Sequence, residues 1–234
     1  MNEWLKVLVA FPLFGVVLTI LAFYIGQRLY VRLGKRAYLQ PVVAGMLIVI
    51  AVLLLCGISY QDYYTSSNPL NLMLGPATVA LAVPLYQNAR RIRALFLPIL
   101  LTLLVGSVVT VGIAVGIMWL FATDKTSLIS MTTKSITTPI AMSVSEKLGG
   151  LASLSAVLVM FTGALGAVVG IPIMQRMGVR DPAVKGIALG LTAHAIGTAR
   201  ALEESEECGA FSALAMGITG VLTAVLLPVL FALL

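Results

Sequence analysis

The chain has 234 residues, of which 60% are hydrophobic and only 10% are charged. That much apolar surface excludes a soluble globular domain and predicts an all-α polytopic membrane protein. The net charge of +6 does not indicate nucleic-acid binding, because the basic residues are spread over short loops and are not gathered on one face. Cys56 and Cys208 are isolated and lack the spacing of metal ligands.

Seven apolar segments predict about seven transmembrane helices within a single integral membrane domain, residues 1–234. Their bounds are 5–26, 39–58, 69–87, 94–122, 148–175, 183–199 and 209–234. The first is expected to be retained as a helix, since no small-residue cleavage site follows it. Segments 94–122, 148–175 and 209–234 carry no charge, and each exceeds the roughly 20 residues that cross the hydrocarbon core.

Basic residues cluster in three loops, which the positive-inside rule places in the cytoplasm. They are Arg28 to Arg36, including Lys35; Arg90 to Arg93; and Arg176 to Lys185. The same rule predicts that the N-terminus, the loop 61–67 with Asp62 and the acidic stretch 203–207 lie outside, and that the C-terminus is cytoplasmic. We expect a multi-pass protein of the bacterial cytoplasmic membrane.

The segment between the fourth and fifth helices must then begin and end outside, which a re-entrant hairpin does and a spanning helix does not. We predict this hairpin over residues 127–147, with its turn at Thr137-Thr138-Pro139, because proline removes a donor and clashes with the preceding helical turn. Lys134 lies in this segment, and a charge at membrane depth usually faces a cavity and serves an ion or substrate. The alternative is a surface loop in which Lys134 is solvated.

The predicted orientations also suggest an inverted repeat of residues 39–122 and 148–234. Leu74–Thr78 and Leu189–Ala193 occupy matching places in the two halves, and each is rich in small residues. Interrupted segments in corresponding places of an inverted repeat are typical of secondary transporters.

Three stretches supply candidate substrate-binding residues. In residues 74–88 the prolines free backbone carbonyls near Thr78 and Asn88, although an ordinary kinked helix is the alternative. Residues 134–139 combine a lysine with hydroxyl donors, and a half-helix starting there would aim its N-terminal amides at a small anion. The predicted residues of these two stretches are Thr78, Asn88, Lys134, Ser135, Thr137, Thr138 and Pro139.

The third stretch contains His194, Thr198 and Arg200. His194 is the only histidine, and its reference pKa of about 6.5 suits a proton carrier, although a lone histidine is more often a hydrogen-bonded core residue. Arg200 has the geometry to bind a carboxylate, or alternatively to pair with Glu203 or Glu204 at the interface. No nucleotide-binding loop, metal cluster or catalytic pair is defensible, so we expect no enzyme activity, cofactor or metal.

The chain resembles the LrgB/CidB family over nearly its whole length. The stretches that carry this resemblance are residues 76–86, 134–141, 194–200 and 209–212. The resemblance implies one of two functions. Members were named as holin/antiholin-like regulators of murein hydrolase activity and autolysis, usually paired with a small LrgA/CidA-type membrane partner. Related proteins are described as carriers of pyruvate in bacteria and of glycolate and glycerate in plastids.

The sequence favours a secondary transporter of small monocarboxylates, coupled to protons or Na⁺ and expected to be a homo-oligomer. Lys134, Ser135, Thr137 and Thr138 are predicted to bind the carboxylate. Thr78, His194 and Thr198 are predicted to contact the hydroxyl or oxo group, and Arg200 to complete the charge balance. The alternative is the holin/antiholin-like regulator of murein hydrolase export and autolysis.

Overall fold

The computed structural model describes residue 9 and residues 11–34, 39–121 and 123–233. All regular elements in these ranges are helices, which confirms the predicted all-α class. The chain divides into two compact units, Met1–Ala82 and Val83–Leu234, which are described separately. Residues 5–8 of the first predicted helix, Ala122, and Lys35 and Arg36 of the first basic loop lie outside the described residues.

The first unit contains three helices: α1 (Phe14–Arg32), α2 (Pro41–Cys56) and α3 (Tyr60–Ala80). Helix α2 begins where the Gln40 side chain accepts hydrogen bonds from two backbone amides, with Pro41 in a first-turn position that needs no N–H donor. Helix α1 contacts both neighbours. A hydrogen bond of 2.8 Å between the Thr19 and Tyr63 hydroxyls joins α1 to α3.

The boundary between the units falls inside a short helix, after its first residue, Ala82. Most helices of the second unit are apolar. Its elements are α4 (Ala82–Gln87), α5 (Ala89–Ala94), α6 (Phe96–Leu120), α7 (Lys125–Thr132), α8 (Thr138–Lys147), α9 (Ala152–Arg176), α10 (Pro182–Glu204) and α11 (Glu206–Leu233). Asp124 caps the start of α7, because its carboxylate accepts a hydrogen bond from the Ser127 amide. Hydrogen bonds from Ser127 hold the pKa of this exposed carboxyl below its usual value.

Within the described residues, five stretches are long and apolar enough to cross a membrane. They are Phe14–Arg32, Tyr60–Gln87, Phe96–Leu120, Ala152–Arg176 and Glu206–Ala232. Helix α2 is apolar but has only 16 residues, and α10 is not among the five although it has 23. The structure therefore supports a polytopic membrane protein without confirming seven spans.

Helices α7 and α8 form a first hairpin, because residues 133–137 interrupt them and the chain then returns. The return is fixed by Ser130 in α7, whose hydroxyl accepts a hydrogen bond of 2.9 Å from the Leu151 amide at the start of α9. The Ser155 hydroxyl donates to the Ser130 carbonyl at 3.3 Å. Helix α8 starts at Thr138, with Pro139 in its first turn, so the break lies directly before the turn predicted from the sequence.

Helix α10 is a second hairpin and not the spanning segment predicted over residues 183–199; its break lies directly after Leu189–Ala193, where the sequence predicts an interruption. His194 has φ 43° and ψ −134°, which interrupts the helix. A Cβ placed on Gly197 would lie 2.7 Å from the Leu189 carbonyl oxygen. A straight helix would separate residues eight apart by about 12 Å, so the chain turns back at His194.

The prediction that residues 203–207 and residues 176–185 lie on opposite sides is wrong. Lys185 Nζ lies 2.9 Å from Glu204 Oε1. Arg91 lies 2.8 Å from Asp181 Oδ2 and also pairs with Glu207. These ion pairs bring two predicted cytoplasmic loops and the predicted external stretch to one end of the second unit.

Candidate functional site

The interruptions of the two hairpins meet at the same part of α9. His194 Nε2 donates a hydrogen bond of 2.9 Å to the Val159 carbonyl. The Val159 side chain packs with Ile136, from the break of the first hairpin, and with Ala141 of α8. All three side chains are buried. The second unit therefore holds two irregular backbone segments against one helix in its interior, an arrangement that membrane proteins tolerate where it is buried or lines a cavity.

A small cavity lies beside this junction, with a volume of about 10 Å³, which is room for about one water molecule. Most of its lining side chains carry hydroxyls, and they come from α6, the first hairpin, α10 and α11. The lining residues are Ser107, Thr110, Val111, Thr132, Ser135, Ile136, Leu191, Thr219 and Thr223. Hydroxyl groups donate and accept hydrogen bonds, so the cavity has the chemistry to hold a small polar molecule.

Lys134 places a cationic group next to this cavity. Its Nζ donates a hydrogen bond of 3.3 Å to the hydroxyl of Ser135, which lines the cavity. The Lys134 side chain is partly buried, and the ion pairs among the described residues do not include it. A partly buried ammonium without a carboxylate partner favours the arrival of an anion.

The N-terminus of α8 is a second group at this break that attracts an anion. Thr137 precedes α8 in an extended conformation, and no described side chain caps this end of the helix. The first amides of a helix have no partner within the helix and attract negative charge. Thr137 and Thr138 are partly buried, whereas Pro139 is exposed. Lys134 and this uncapped end thus belong to the same short break.

His194 is held in a conformation that residues with a side chain rarely adopt. Its positive φ is the only one among the described non-glycine residues, and its side chain is 2% exposed. Gly163 makes room for the ring, because a Cβ there would lie 2.7 Å from His194 Nε2. Backbone strain of this kind typically persists where the surroundings enforce it and is concentrated at functional sites.

Thr198 supports the same break from the second half of α10. Its hydroxyl donates to the His194 carbonyl at 2.9 Å and lies 2.9 Å from the Ser212 hydroxyl of α11. The hydrogen bonds of His194 Nε2 and of Thr198 are therefore made within the protein. The geometry of both residues is that of groups that position the turn, and neither is among the residues lining the cavity.

The remaining predicted residues are not among those that line the cavity. Arg200, with a side chain 11% exposed, lies 3.4 Å from Glu203 and 3.7 Å from Glu204, as its alternative interpretation required. The Asn88 amide donates to the Pro84 carbonyl at 2.9 Å, within α4 and the turn that follows it. Thr78 belongs to the first unit, where its exposed hydroxyl donates to the Leu74 carbonyl at 2.7 Å.

Sequence reasoning missed the hydroxyl residues that the long apolar helices contribute to the cavity. A signal for them exists, because Ser107 and Thr110 are three residues apart and Thr219 and Thr223 are four apart. These spacings put each pair on one face of its helix. Paired hydroxyls on one face of a charge-free membrane helix indicate a polar surface inside the bundle. The described residues contain no group of three or more residues suited to hold a metal ion.

Comparison with known proteins identifies the family. The model of the LrgB-like family matches residues 19–233. The chain belongs to the LrgB-like family. It is 31% identical over 230 residues to a holin-like protein CidB of Staphylococcus epidermidis, and the match covers 98% of both chains. No solved structure matches.

Other relatives of this LrgB-like chain show a similar level of identity. The holin-like protein CidB of Staphylococcus aureus is 31% identical, with 98% of each chain covered. The uncharacterized protein YxaC of Bacillus subtilis is 35% identical, with 88% of this chain and 90% of YxaC covered. The names of these relatives support the holin-like alternative better than the carrier, and they agree with a bacterial membrane location.

Proposed function

We propose that the chain is a secondary carrier of small monocarboxylates. The observation that carries this proposal is the partly buried Lys134, which has no carboxylate partner among the described residues and lies beside a small hydroxyl-lined cavity at the junction of two interrupted helices. A pore or a purely structural bundle has no need for a buried cation at such a place, because its desolvation is unfavourable. A carboxylate would remove this disadvantage by pairing with the ammonium.

The binding mode follows from the donors at the first break. Lys134 supplies the positive charge, Ser135 supplies a hydroxyl at the cavity, and Thr137 and Thr138 frame the uncapped amides of α8. Charge-assisted hydrogen bonds to a carboxylate are stronger than neutral ones, so these groups would dominate affinity. His194 and Thr198 would act by shaping the second break, and Arg200 by its ion pairs at the mouth of the second hairpin.

The opposite openings of the two hairpins support alternating access. The first hairpin has its open end at the beginning of α9, where Ser130 meets Leu151. The second has its open end near the end of α9, where Ala201 clusters with Met174. We propose an inverted repeat of hairpin plus long helix, Lys125–Arg176 and Pro182–Leu233, in place of the repeat predicted over 39–122 and 148–234. Substrate sites of secondary transporters lie at such repeat interfaces.

The same ion pairs support a proposal for the orientation in the membrane. Arg91 and Lys185 are at the basic end of the second unit, which the positive-inside rule assigns to the cytoplasm. Helix α11 starts at Glu206, and Glu207 in its first turn pairs with Arg91. The helix has 28 residues, enough to cross the bilayer. We therefore propose that the C-terminus lies outside, in contrast to the sequence prediction, and that the second hairpin opens to the cytoplasm.

Transport in a purified system tests the proposal. The protein is reconstituted in liposomes, and uptake of labelled pyruvate, glycolate and glycerate is measured with and without a proton or Na⁺ gradient. A labelled sugar serves as the leak control. Saturable carboxylate uptake without sugar entry is the expected result. Equal entry of carboxylate and sugar would refute the carrier.

The names of the relatives favour a second candidate, a holin-like protein. The family resemblance gives this candidate the role of a regulator of murein hydrolase export and autolysis, acting with a small LrgA/CidA-type partner as a homo-oligomer. This function predicts entry of unrelated solutes, or none until the partner is added. The same liposomes, prepared with and without an LrgA-type protein, distinguish the two. Sugar leakage that depends on the partner and is insensitive to Lys134→Gln would establish the holin-like function.

A further inference from the structure

An ion pair joins the two limbs of the second hairpin at their open end. The limbs are residues 182–193 and 195–204, on either side of His194. Lys185 in the first limb and Glu204 in the second approach to 2.9 Å, and their side chains are only 11% and 24% exposed. Arg200 also pairs with Glu204, at 3.7 Å, but both of these residues belong to the second limb. The Lys185–Glu204 pair therefore crosses the opening, whereas the Arg200 pair does not.

A more exposed bridge spans the same opening from outside the hairpin. Arg91 in α5 pairs with Asp181, directly before the first limb, and with Glu207, three residues after the second limb. The Arg91 side chain is 40% exposed, and ion pairs in contact with water are screened and contribute little to stability. Most of the electrostatic closure of the hairpin therefore depends on Lys185 and Glu204.

The limbs contact each other through apolar side chains about one helical turn further in. Leu189 of the first limb and Ala201 of the second belong to one buried cluster with Met174 of α9 and Cys208 of α11. Leu189 is four residues from Lys185, and Ala201 is three residues from Glu204. Cys208 is fully buried in this cluster. Separation of the limbs would expose the cluster to water.

The chemistry of the pair suits a contact that forms and breaks. Removing charges from water is costly, and an apolar pair of similar volume often stabilises a fold at least as well. An ion pair differs in one respect, because hydration compensates for the lost attraction when its members separate into water. A permanent brace gains nothing from this property, whereas a closure that opens does.

We infer that Lys185 and Glu204 form a latch, which closes the second hairpin in this structure and releases when the hairpin opens during transport. This inference rests on the proposed carrier function. Release would uncover the apolar cluster at the end of the protein that we assign to the cytoplasm. Loss of either latch residue leaves the other largely buried without its partner across the opening, so either loss favours the open form.

The native thiol of Cys208 reports on this opening. In a Cys56→Ser background, its rate of reaction with N-ethylmaleimide follows the population of the open form. Lys185→Gln and Glu204→Gln should each raise this rate about tenfold. The two variants change the local charge in opposite directions, so a direct electrostatic effect on the thiol would change the two rates in opposite directions.

Arg200→Gln is the matched control for Lys185→Gln. Both variants remove one positive charge that pairs with Glu204, and the two side chains are equally exposed, at 11%. Arg200→Gln leaves the contact between the limbs in place, so it should not raise the Cys208 rate. A rise equal to that of Lys185→Gln would refute the latch, because the effect would not depend on crossing the opening.

An apolar replacement distinguishes a latch from a permanent brace. Lys185→Met combined with Glu204→Leu removes both charges and keeps side chains of similar size, so the limbs stay together without a pair that water can separate. The Cys208 rate of this double variant should not exceed that of the wild type. Its uptake of labelled pyruvate into liposomes should fall about tenfold, because opening becomes limiting. A permanent brace predicts unchanged uptake.

The results separate the latch from the carrier. Unchanged Cys208 rates in both single variants would refute the latch, whatever the uptake. Normal pyruvate uptake by the apolar double variant would refute release of the pair during transport. A wild type without carboxylate uptake would refute the proposed function, and faster Cys208 reaction in both single variants would then still establish that the pair closes the hairpin.

Discussion

Lys185 Nζ lies 2.9 Å from Glu204 Oε1, although the two residues are nineteen positions apart in one helical segment. A straight helix of that length would separate them by about 28 Å. The contact therefore requires the segment to double back, and the strained backbone of His194 is where it does so. The side of the membrane assigned to each segment in the last third of the chain depends on this turn at His194.

The return predicts which positions are reached from one side of the membrane. In a variant with Cys56 and Cys208 replaced by serine, single cysteines at Arg180 and Glu203 should react with an impermeant maleimide from the same side. A cysteine at Lys147, at the open end of the first hairpin, should react from the other side. Labelling of positions 180 and 203 from opposite sides would contradict the hairpin and restore a spanning helix.

Lys134→Gln is expected to lower kcat/KM for carboxylate uptake roughly ten- to hundredfold, because it removes a charge-assisted hydrogen bond to the substrate. Lys134→Arg keeps the charge and should retain part of the activity. Lys125→Gln, an exposed lysine on the same hairpin, is the matched control and should be close to wild type. A Lys134→Gln variant with normal uptake would remove Lys134 from the site.

Gly163→Ala should destabilise the protein by about 1–3 kcal/mol, since overpacking a close contact displaces the surrounding groups. Its new Cβ would lie 2.7 Å from the His194 ring and would push it from the Val159 carbonyl. Gly116→Ala in α6 introduces the same methyl group with no atom within 4 Å and serves as the control. The midpoint of thermal unfolding in detergent measures both, and equal midpoints would contradict the close packing.

His194→Gly should be more stable than His194→Ala by about 1 kcal/mol, although glycine removes more side chain. Both variants lose the hydrogen bond to Val159, so they differ chiefly in the backbone. Glycine adopts the conformation of φ 43° and ψ −134° without the steric conflict that a Cβ creates. Unfolding midpoints of the two variants give the comparison. An alanine variant of equal or higher midpoint would mean that the turn relaxes.

The class of the protein and the first break follow from local sequence. Apolar composition identifies membrane helices, and a proline after Thr137-Thr138 fixes a helix start because it needs no amide donor. The second break has no proline to predict it. No proline lies between Pro182 and Pro228, and the residue that turns the chain is a histidine. Its conformation depends on Val159, thirty-five residues away, which local patterns do not report.

The error in sides has an equally physical origin. The positive-inside rule counts lysine and arginine, whereas acidic residues contribute little to orientation. The sequence prediction places the stretch 203–207 outside because the stretch is acidic and because residues 183–199 are counted as a span. Its carboxylates are instead the partners of Arg91, Lys185 and Arg200. In the sequence, the acidic stretch 203–207 and the basic stretch 176–185 look like loops on opposite sides of the membrane. In the structure they lie close together, because their opposite charges form ion pairs.

The ammonium of Lys134, which takes part in no ion pair among the described residues, has an energetic consequence for turnover. An empty carrier would move an isolated positive charge through the low-dielectric interior, whereas a carrier loaded with a monocarboxylate would move a neutral pair. Reorientation should therefore be faster with cargo than without it, so that acid inside the liposomes accelerates entry of labelled acid from outside. A faster net influx into empty vesicles than into preloaded ones would show that the charge of Lys134 is neutralised by other means.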